Sequence, residues 1–446
     1  MKSNKAKVLH ELSGKPLIAH VCRTAQSLEP RNILVIVGHQ GDEVEAAVRK
    51  ALGDYQAVFA KQNRQLGTGD AVMAARESLA EASSTVVILS GDVPLIKAET
   101  LQSLLSHHRE SGAAGTILSV RMENPAGYGR IVRDDQDRFV KIVEQKDATT
   151  EERQIREINS GIYCFETEKL FPALQRVQPK NQQGEYYLTD VAEILHTGGE
   201  TVGVQLHDDA REVSGVNTRA ELAEFENLLR RNMVRTLMLE GGVTFIDPSH
   251  TYIGAEVKVG RDSVIHPDVN LEGTTVLGEN CEVRSGTRIT NSRIGNNVTI
   301  KDHCVIVDSA IEANCSVGPF AHLRMNTRLE ESATIGNFVE VKKSRVGRGS
   351  KSMHLTYLGD ATIGEKTNIG AGTITCNYDG KNKHETIIED NVKIGSDTML
   401  VAPVRVGSRS VTGAGSVVTK DVPPDSLVAG VPAVVKKHLG ERDDKE

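Results

Sequence analysis

Up to about residue 217, short apolar runs alternate with stretches in which apolar residues recur every three or four positions. Residues 33–37, 85–89, 115–120 and 161–165 read as strands, and residues 41–52 and 69–81 as helices. The alternation predicts a mostly parallel sheet flanked by helices. Residues 219–240, RAELAEFENLLRRNMVRTLMLE, predict one long amphipathic helix stopped at Gly241-Gly242. Beyond Gly242 the texture changes. An aliphatic residue followed by glycine recurs, as in Ile253-Gly254, Val259-Gly260, Leu277-Gly278, Ile335-Gly336, Ile369-Gly370 and Ile394-Gly395, with spacings of 6 and 18. That period predicts a parallel β-helix, in which three short strands make one triangular coil and each strand points one aliphatic side chain inward. Residues 253–430 would make about ten coils, a prism on the order of 45 Å long at the inter-strand spacing. The recurrent glycines are expected at its corners. The period breaks at 377–385 (NYDGKNKHE) and in the stretch 320–328; insertions into a solenoid collect on one face, commonly the binding face.

A length of 446 residues fits this division into more than one domain. The expected boundaries are 1–218 for the α/β half, 219–241 for the linker helix, 242–438 for the β-helix and 439–446 for a charged tail. Charged residues make up 25% of the chain and the net charge is −7, with both signs interleaved. No clustered basic face offers itself to nucleic acid or to a membrane surface. The six cysteines are scattered without C-x-x-C pairs, which suits free thiols in a reducing compartment. No apolar run reaches the roughly 18 residues of a membrane span, and MKSNKAKVLHELSG lacks the apolar core of a signal peptide. A cytoplasmic location without membrane insertion is the expectation.

Several segments are distinctive in sequence order: KVLHELSGKP, QLGTGDAV, SGDVPL, GYGRIV, VEQKDA, EINSGIY, QGEYYLTD and GVNTR in the first half, and GPFAHLR, GNFVEVKK, SKSMHLTYLGD and GAGTITCNYDGKNKHET in the second. Through them nearly the whole chain resembles the bifunctional family that joins glucosamine-1-phosphate N-acetyltransferase to N-acetylglucosamine-1-phosphate uridylyltransferase. The resemblance implies an α/β nucleotidyltransferase-like (Rossmann-like) domain followed by an all-β left-handed parallel β-helix, assembled as a homotrimer. It implies Mg²⁺ as cofactor and acetyl-CoA, UTP and glucosamine-1-phosphate as substrates.

In the first half, the resemblance places Mg²⁺ on Asp92 and Asn217, a donor set that suits an ion taking few oxygens from protein. Lys7 is implied on the nucleotide phosphates, and Gln62, Gly67 and Thr68 on the uracil. Gly129, Glu144, Asn159 and Thr189 fall where the family binds the acetylated sugar; without the resemblance, Glu144 and Asn159 read as a solvated strand-end pair. The family's Gly-rich phosphate loop, L-x-A-G-x-G-T-R-M, ends on the Met that aligns with Met1. The sequence as printed is therefore expected to acetylate its substrate and to transfer little uridylyl until such a segment precedes it.

In the second half, His354 matches the family's general base, a task that suits an imidazole near neutral pH. Alternation along its strand predicts His354 on one face and the apolar Met353 and Leu355 on the other. Arg324, Lys342, Tyr357, Asn368 and Lys383 fit sugar-phosphate ligands. Asn377, Tyr378, Ser396 and Ala414 fit the acetyl-CoA site, and Asn377 also a sugar-hydroxyl contact. Lys436 or Lys437 offers charge for the CoA phosphates. Two other readings stay open: a nucleotidyltransferase whose β-helix is only a trimerisation scaffold, and a regulatory subunit of the eukaryotic-initiation-factor type.

Overall fold

The computed structural model describes residues 1–79 and 84–438. The expected tail at 439–446 and the end of the expected helix at 69–81 lie outside the described residues. The chain divides into two compact units, Met1–Phe225 and Glu226–Glu446.

The first unit contains strands β1 (Leu34–Val37), β2 (Val58–Lys61), β3 (Thr85–Ile88), β4 (Gly115–Arg121), β5 (Arg130–Arg133), β6 (Phe139–Val143), β7 (Glu157–Glu166) and β8 (Val202–His207). Its main helices are α1 (Leu17–Gln26), α2 (Gly41–Leu52), α3 (Thr68–Met73), α4 (Ala98–Ser111), α5 (Thr167–Leu174) and α6 (Thr189–Thr197). The six-stranded sheet runs β8-β4-β7-β5-β6, with β3 paired to β7, and β1 and β2 form a separate parallel pair. The expectation of a mostly parallel sheet is corrected here. Only β8 and β4 pair in parallel, while β7 is antiparallel to β3, β4 and β5, and β5 is antiparallel to β6. Apolar runs buried on both faces, such as GTILSVR in β4, look alike in either orientation, so periodicity alone could not decide. The register along β4 and β7 shifts between Ile117 and Ser119, opposite Gly161 at φ +77°, and this bulge sets Asn159 at the junction with β5.

Helix α7 (Arg219–Leu239) begins at a reciprocal cap. Glu221 N–H donates to Thr218 Oγ1 (3.1 Å), and the Glu221 carboxylate accepts from the Thr218 and Asn217 amides (2.8 and 2.6 Å).

The second unit is a parallel β-solenoid of three faces. The first face runs from Thr244–Phe245, the second from Tyr252–Ile253 and the third from Lys258–Val259. Ile253 lies over Leu271 and Leu271 over Ile289, 18 residues per coil, whereas Ile289 lies over Ile306 with 17. The inward stacks of Ile, Val and Leu make one continuous core. Two details correct the sequence reading. Left-handed corner positions are held by Asp and Asn, including Asp262, Asn280, Asn297 and Asn314, and by glycines such as Gly273, Gly286 and Gly372 that follow no inward aliphatic residue. Most of the glycines that do follow an inward aliphatic residue are there for close stacking: a Cβ on Gly370 would stand 2.6 Å from the backbone carbon of Gly395 in the next coil. Second, residues 320–328 are no insertion, because His322–Arg324 and Arg328–Leu329 continue the coils in ordinary register. The break at 377–385 is real. Ile363 lies over Ile388, 25 residues on, and the excess forms a hairpin bridged between Tyr378 and Lys383.

Candidate functional site

Lys7, Asp92 and Asn217 come from distant parts of the chain and meet. The Lys7 ammonium pairs with Asp92 Oδ2 and donates to Asn217 Oδ1 at 2.5 Å. Asp92 follows β3, and its carbonyl accepts from Val216 N–H at 2.9 Å, which ties the two oxygen-bearing loops together. Two side-chain oxygens thus converge on one cation. Their geometry and hard-oxygen chemistry fit Mg²⁺, which would draw its remaining ligands from phosphate and water.

Gln62, Gly67 and Thr68 form a second group. Gln62 Nε2 donates to the Gly67 carbonyl (3.2 Å) and to Asp70 Oδ2 (2.8 Å), and Thr68 Oγ1 accepts from Leu188 N–H (3.0 Å). Gly67 has φ +117°, and a Cβ there would lie 2.5 Å from the Tyr186 carbonyl, so no other residue fits without moving the backbone.

The sugar candidates also assemble. Thr189 Oγ1 donates to Glu144 Oε1 at 3.3 Å, and a Cβ on Gly129 would stand 3.4 Å from that same oxygen. Asn159 N–H donates to the Gly129 carbonyl at 2.9 Å, while its side-chain amide donates to Tyr163 Oη at 2.7 Å. The solvated strand-end reading is corrected: Asn159 is buried and Glu144 half-buried. Burial raises the Glu144 carboxyl, with Asp147 adding to it and the Thr189 hydrogen bond and Arg130 opposing. Asp190, at the start of α6, is pushed up to about 6 by burial and by Glu193, Glu144 and Asp147.

In the solenoid, the candidates separate into groups. Arg324 and Lys342 stack in register at the end of second-face strands. Arg324 pairs with Glu340 (2.8 and 2.7 Å), and Lys342, only 4% exposed, reaches Asp360 Oδ2 at 3.3 Å. Asn377 donates to the same Asp360 oxygen at 2.6 Å. Burial pushes the Asp360 carboxyl up, yet Lys342, Asn377 and Lys343 outweigh it and hold the group low. The exposed Lys383 lies against Lys342, whose cation holds it below the ordinary lysine range. Three cations therefore gather beside the hairpin, at whose base the exposed Tyr378 is bridged to Lys383. The turn is stiffened by Asp379, which accepts from Asn382 and Lys381 N–H (both 2.7 Å) and contacts His384.

His354 sits at the other end of the second face, on the corner that leads in from the first. Its Nδ1 is 2.7 Å from Asn337 Oδ1, directly above it in register. With Nδ1–H donating to that amide oxygen, Nε2 is the acceptor of a neutral ring. Counting on from the register, Ser396 and Ala414 occupy the same corner two and three coils further on, and Gly415 N–H donates to the Ser396 carbonyl (2.8 Å). The expected apolar partition around His354 is corrected: the inward residue is Ser352, while Met353 and Leu355 are exposed at 36% and 63%. Tyr357 lies between the two corners at the start of its second-face strand. Asn368, exposed on the first face, stands apart from the cations. Sequence reasoning passed over Asn337, Asp360 and Tyr163, although GNFVEVKK, SKSMHLTYLGD and EINSGIY carry them.

Comparison with known proteins decides the family. A bifunctional protein GlmU from Syntrophomonas wolfei is 48% identical over 439 residues, covering 98% of this chain and 96% of that protein. The chain belongs to the GlmU family. The GlmU protein of Heliobacterium modesticaldum is 50% identical, covering 96% of this chain and 92% of that protein, and that of a Geobacillus species is 47% identical, covering 99% and 95%. The nucleotidyl transferase family matches residues 2–210, the GMPPB C-terminal domain residues 248–351 and the bacterial transferase hexapeptide repeats residues 385–420. Like the other GlmU proteins, this chain is a bifunctional transferase with a nucleotidyl transferase half and a hexapeptide half. No helix among the described residues is long and apolar enough to cross a membrane.

Proposed function

We propose that the solenoid transfers an acetyl group from acetyl-CoA to glucosamine-1-phosphate, and that the first unit transfers a uridylyl group from UTP to the resulting N-acetylglucosamine-1-phosphate. The observation that carries the acetyl reading is the His354 imidazole, tethered through Nδ1 to Asn337 with Nε2 open at an exposed corner. Nε2 takes a proton from the sugar amine as its nitrogen attacks the thioester carbonyl; the tetrahedral intermediate then expels the CoA thiolate, which is protonated. Arg324, Lys342 and Lys383 bind the sugar phosphate, Tyr357, Asn368 and Asn377 its hydroxyl groups, and Tyr378, Ser396 and Ala414 the acetyl-CoA.

In the first unit, a phosphate oxygen of the acetylated sugar attacks the α-phosphorus of UTP and pyrophosphate leaves. Lys7 offsets phosphate charge, Gln62, Gly67 and Thr68 read the uracil, and Gly129, Glu144, Asn159 and Thr189 hold the sugar. Mg²⁺ on Asp92 and Asn217 supplies charge neutralisation and alignment when bound. We place the enzyme in the cytoplasm, where its substrates occur.

A trimer follows from the separation of the acetyl-site residues. The Asn377–Lys383 side of the site and the His354–Ser396–Ala414 side occupy different corners of one prism, so a neighbouring chain completes the site. Thiol release from acetyl-CoA and glucosamine-1-phosphate tests the acetyl half. Its absence would leave the solenoid as a scaffold only. Pyrophosphate release from UTP and N-acetylglucosamine-1-phosphate, in a protein that carries the family's Gly-rich segment, tests the other half. No release under those conditions overturns the uridylyl reading.

A further inference from the structure

Arg130, at the start of β5, is the largest of the fully buried side chains, with 1% exposure. Among the described residues no carboxylate pairs with it. Its Nη1 donates to the Tyr128 carbonyl and its Nη2 to Gln145 Oε1 at 2.7 Å, both neutral acceptors, and its Nε has no partner. An isolated buried cation carries a large desolvation cost, and burial followed by the Arg153 charge lowers its pKa, opposed by Glu144. A methionine or leucine would fill the same space without that cost. Retention of a guanidinium there therefore calls for a role beyond packing.

Its partners indicate the role. Gln145 Oε1 also accepts from Gly127 N–H at 3.3 Å, so Gln145 is shared by the guanidinium and the turn that carries Gly129. Tyr128, the other acceptor, immediately precedes Gly129, and Gln145 immediately follows Glu144. Arg130 thus ties the two backbone segments that place the Gly129 main chain against the Glu144 carboxylate. Glu144 is half-buried, and the groups that face it are Arg130 from β5, Asp147 from the turn after β6, Thr189 and Asp190 from α6, Tyr187 before α6 and Tyr163 from β7. Among these Arg130 is the one cation.

We propose that Arg130 is a positioning residue for recognition of the acetylated sugar, holding the Gly129 main chain and the Glu144 carboxylate in one arrangement through Tyr128 and Gln145. This rests on the sugar-site reading above. The sign of its pH effect is fixed. With Glu144 accepting the sugar's hydrogen bonds as a carboxylate, loss of the Arg130 cation adds to the rise that burial already causes. Sugar binding is then lost at a higher pH as the solution is acidified.

The test is calorimetric titration of the protein with UDP-N-acetylglucosamine and, separately, UTP, at about pH 5.5 and about pH 8. Arg130→Met should weaken UDP-N-acetylglucosamine by about tenfold or more, the usual worth of charged hydrogen bonding, while UTP changes less than about twofold. The weakening should be larger at the lower pH, and Arg130→Lys should recover the pH dependence. Equal weakening of both ligands, or a loss independent of pH, assigns Arg130 to stability alone and overturns the proposal. If Arg130→Met does not fold, as judged by loss of the first unit's transition in a thermal melt, Gln145→Leu decides: it removes the shared acceptor and leaves Arg130 in place. An unchanged sugar affinity in a folded Gln145→Leu protein then overturns the tie between the two segments. Failure of the unaltered protein to bind UDP-N-acetylglucosamine sinks the sugar-site reading itself.

Discussion

At the scale of single residues, the proposed acetyl chemistry turns on which nitrogen of His354 is free. Asn337 holds Nδ1 at 2.7 Å, so the acceptor is Nε2, and the exposed corner leaves room for a substrate amine. Replacing His354 by alanine removes the proton acceptor without touching the core, because the inward side chain of that strand is Ser352. The expected result is a fall in thiol release of about 10² to 10⁴-fold, the usual contribution of a positioned base, with an unchanged thermal melt. Activity within a few-fold of the unaltered enzyme would take His354 out of the mechanism. The histidine itself was legible in the sequence because its flanking residues match the family motif. Its setting was not. Simple strand alternation sets His354 opposite Met353 and Leu355, whereas Ser352 is the inward residue, Met353 beside it points out, and the corner conformation of Leu355 (φ +46°) turns the chain so that His354 and Leu355 lie outside as well.

At the scale of elements, the solenoid was readable because its period is strict. Outside the hairpin coil, where the step is 25, and the last coil, where it is 16, inward positions repeat after 17 or 18 residues, so one side chain per strand reports the fold. The sheet of the first unit was not readable in the same way. Its orientation depends on pairings such as Gly115 with Phe165, about fifty residues apart, which no local pattern encodes. The glycines of the solenoid were seen but assigned the wrong cause. Gly370 serves close stacking, and this makes a stability prediction: Gly370→Ala must push apart two coils whose backbones leave 2.6 Å for the new Cβ. Overpacking of this kind costs about 1–3 kcal/mol. Calorimetry should record a lower Tm for the transition of the solenoid. An unaltered Tm would mean that the coils separate at no cost and that stacking is not why glycine stands there.

For the whole molecule, the acetyl site poses a problem of distance. Asp360, the carboxylate that anchors Lys342 and Asn377, lies six positions beyond His354, past the Leu355 corner and along the second face, which corresponds to roughly 15–20 Å around the prism. A small amino sugar does not span that gap. On the His354 corner, moreover, an apolar ladder stands open. His303, Phe320 and Phe338 stack with ring centroids 5.1 and 5.2 Å apart, and the exposed Leu355 occupies the next coil in the same left-handed corner position. Exposed rings in a row beside a candidate catalytic residue suit burial against another chain. In the proposed trimer, closed threefold symmetry would bring the corner of one prism to the corner of the next, cover the ladder and join the two halves of the site. Phe320→Glu with Phe338→Glu should therefore shift the mass in sedimentation from trimer to monomer and abolish thiol release. Because the first unit has its own cores, binding of UDP-N-acetylglucosamine should persist in that variant. A monomer that retains full acetyl transfer would show that one prism suffices, and the argument from the two corners would fall.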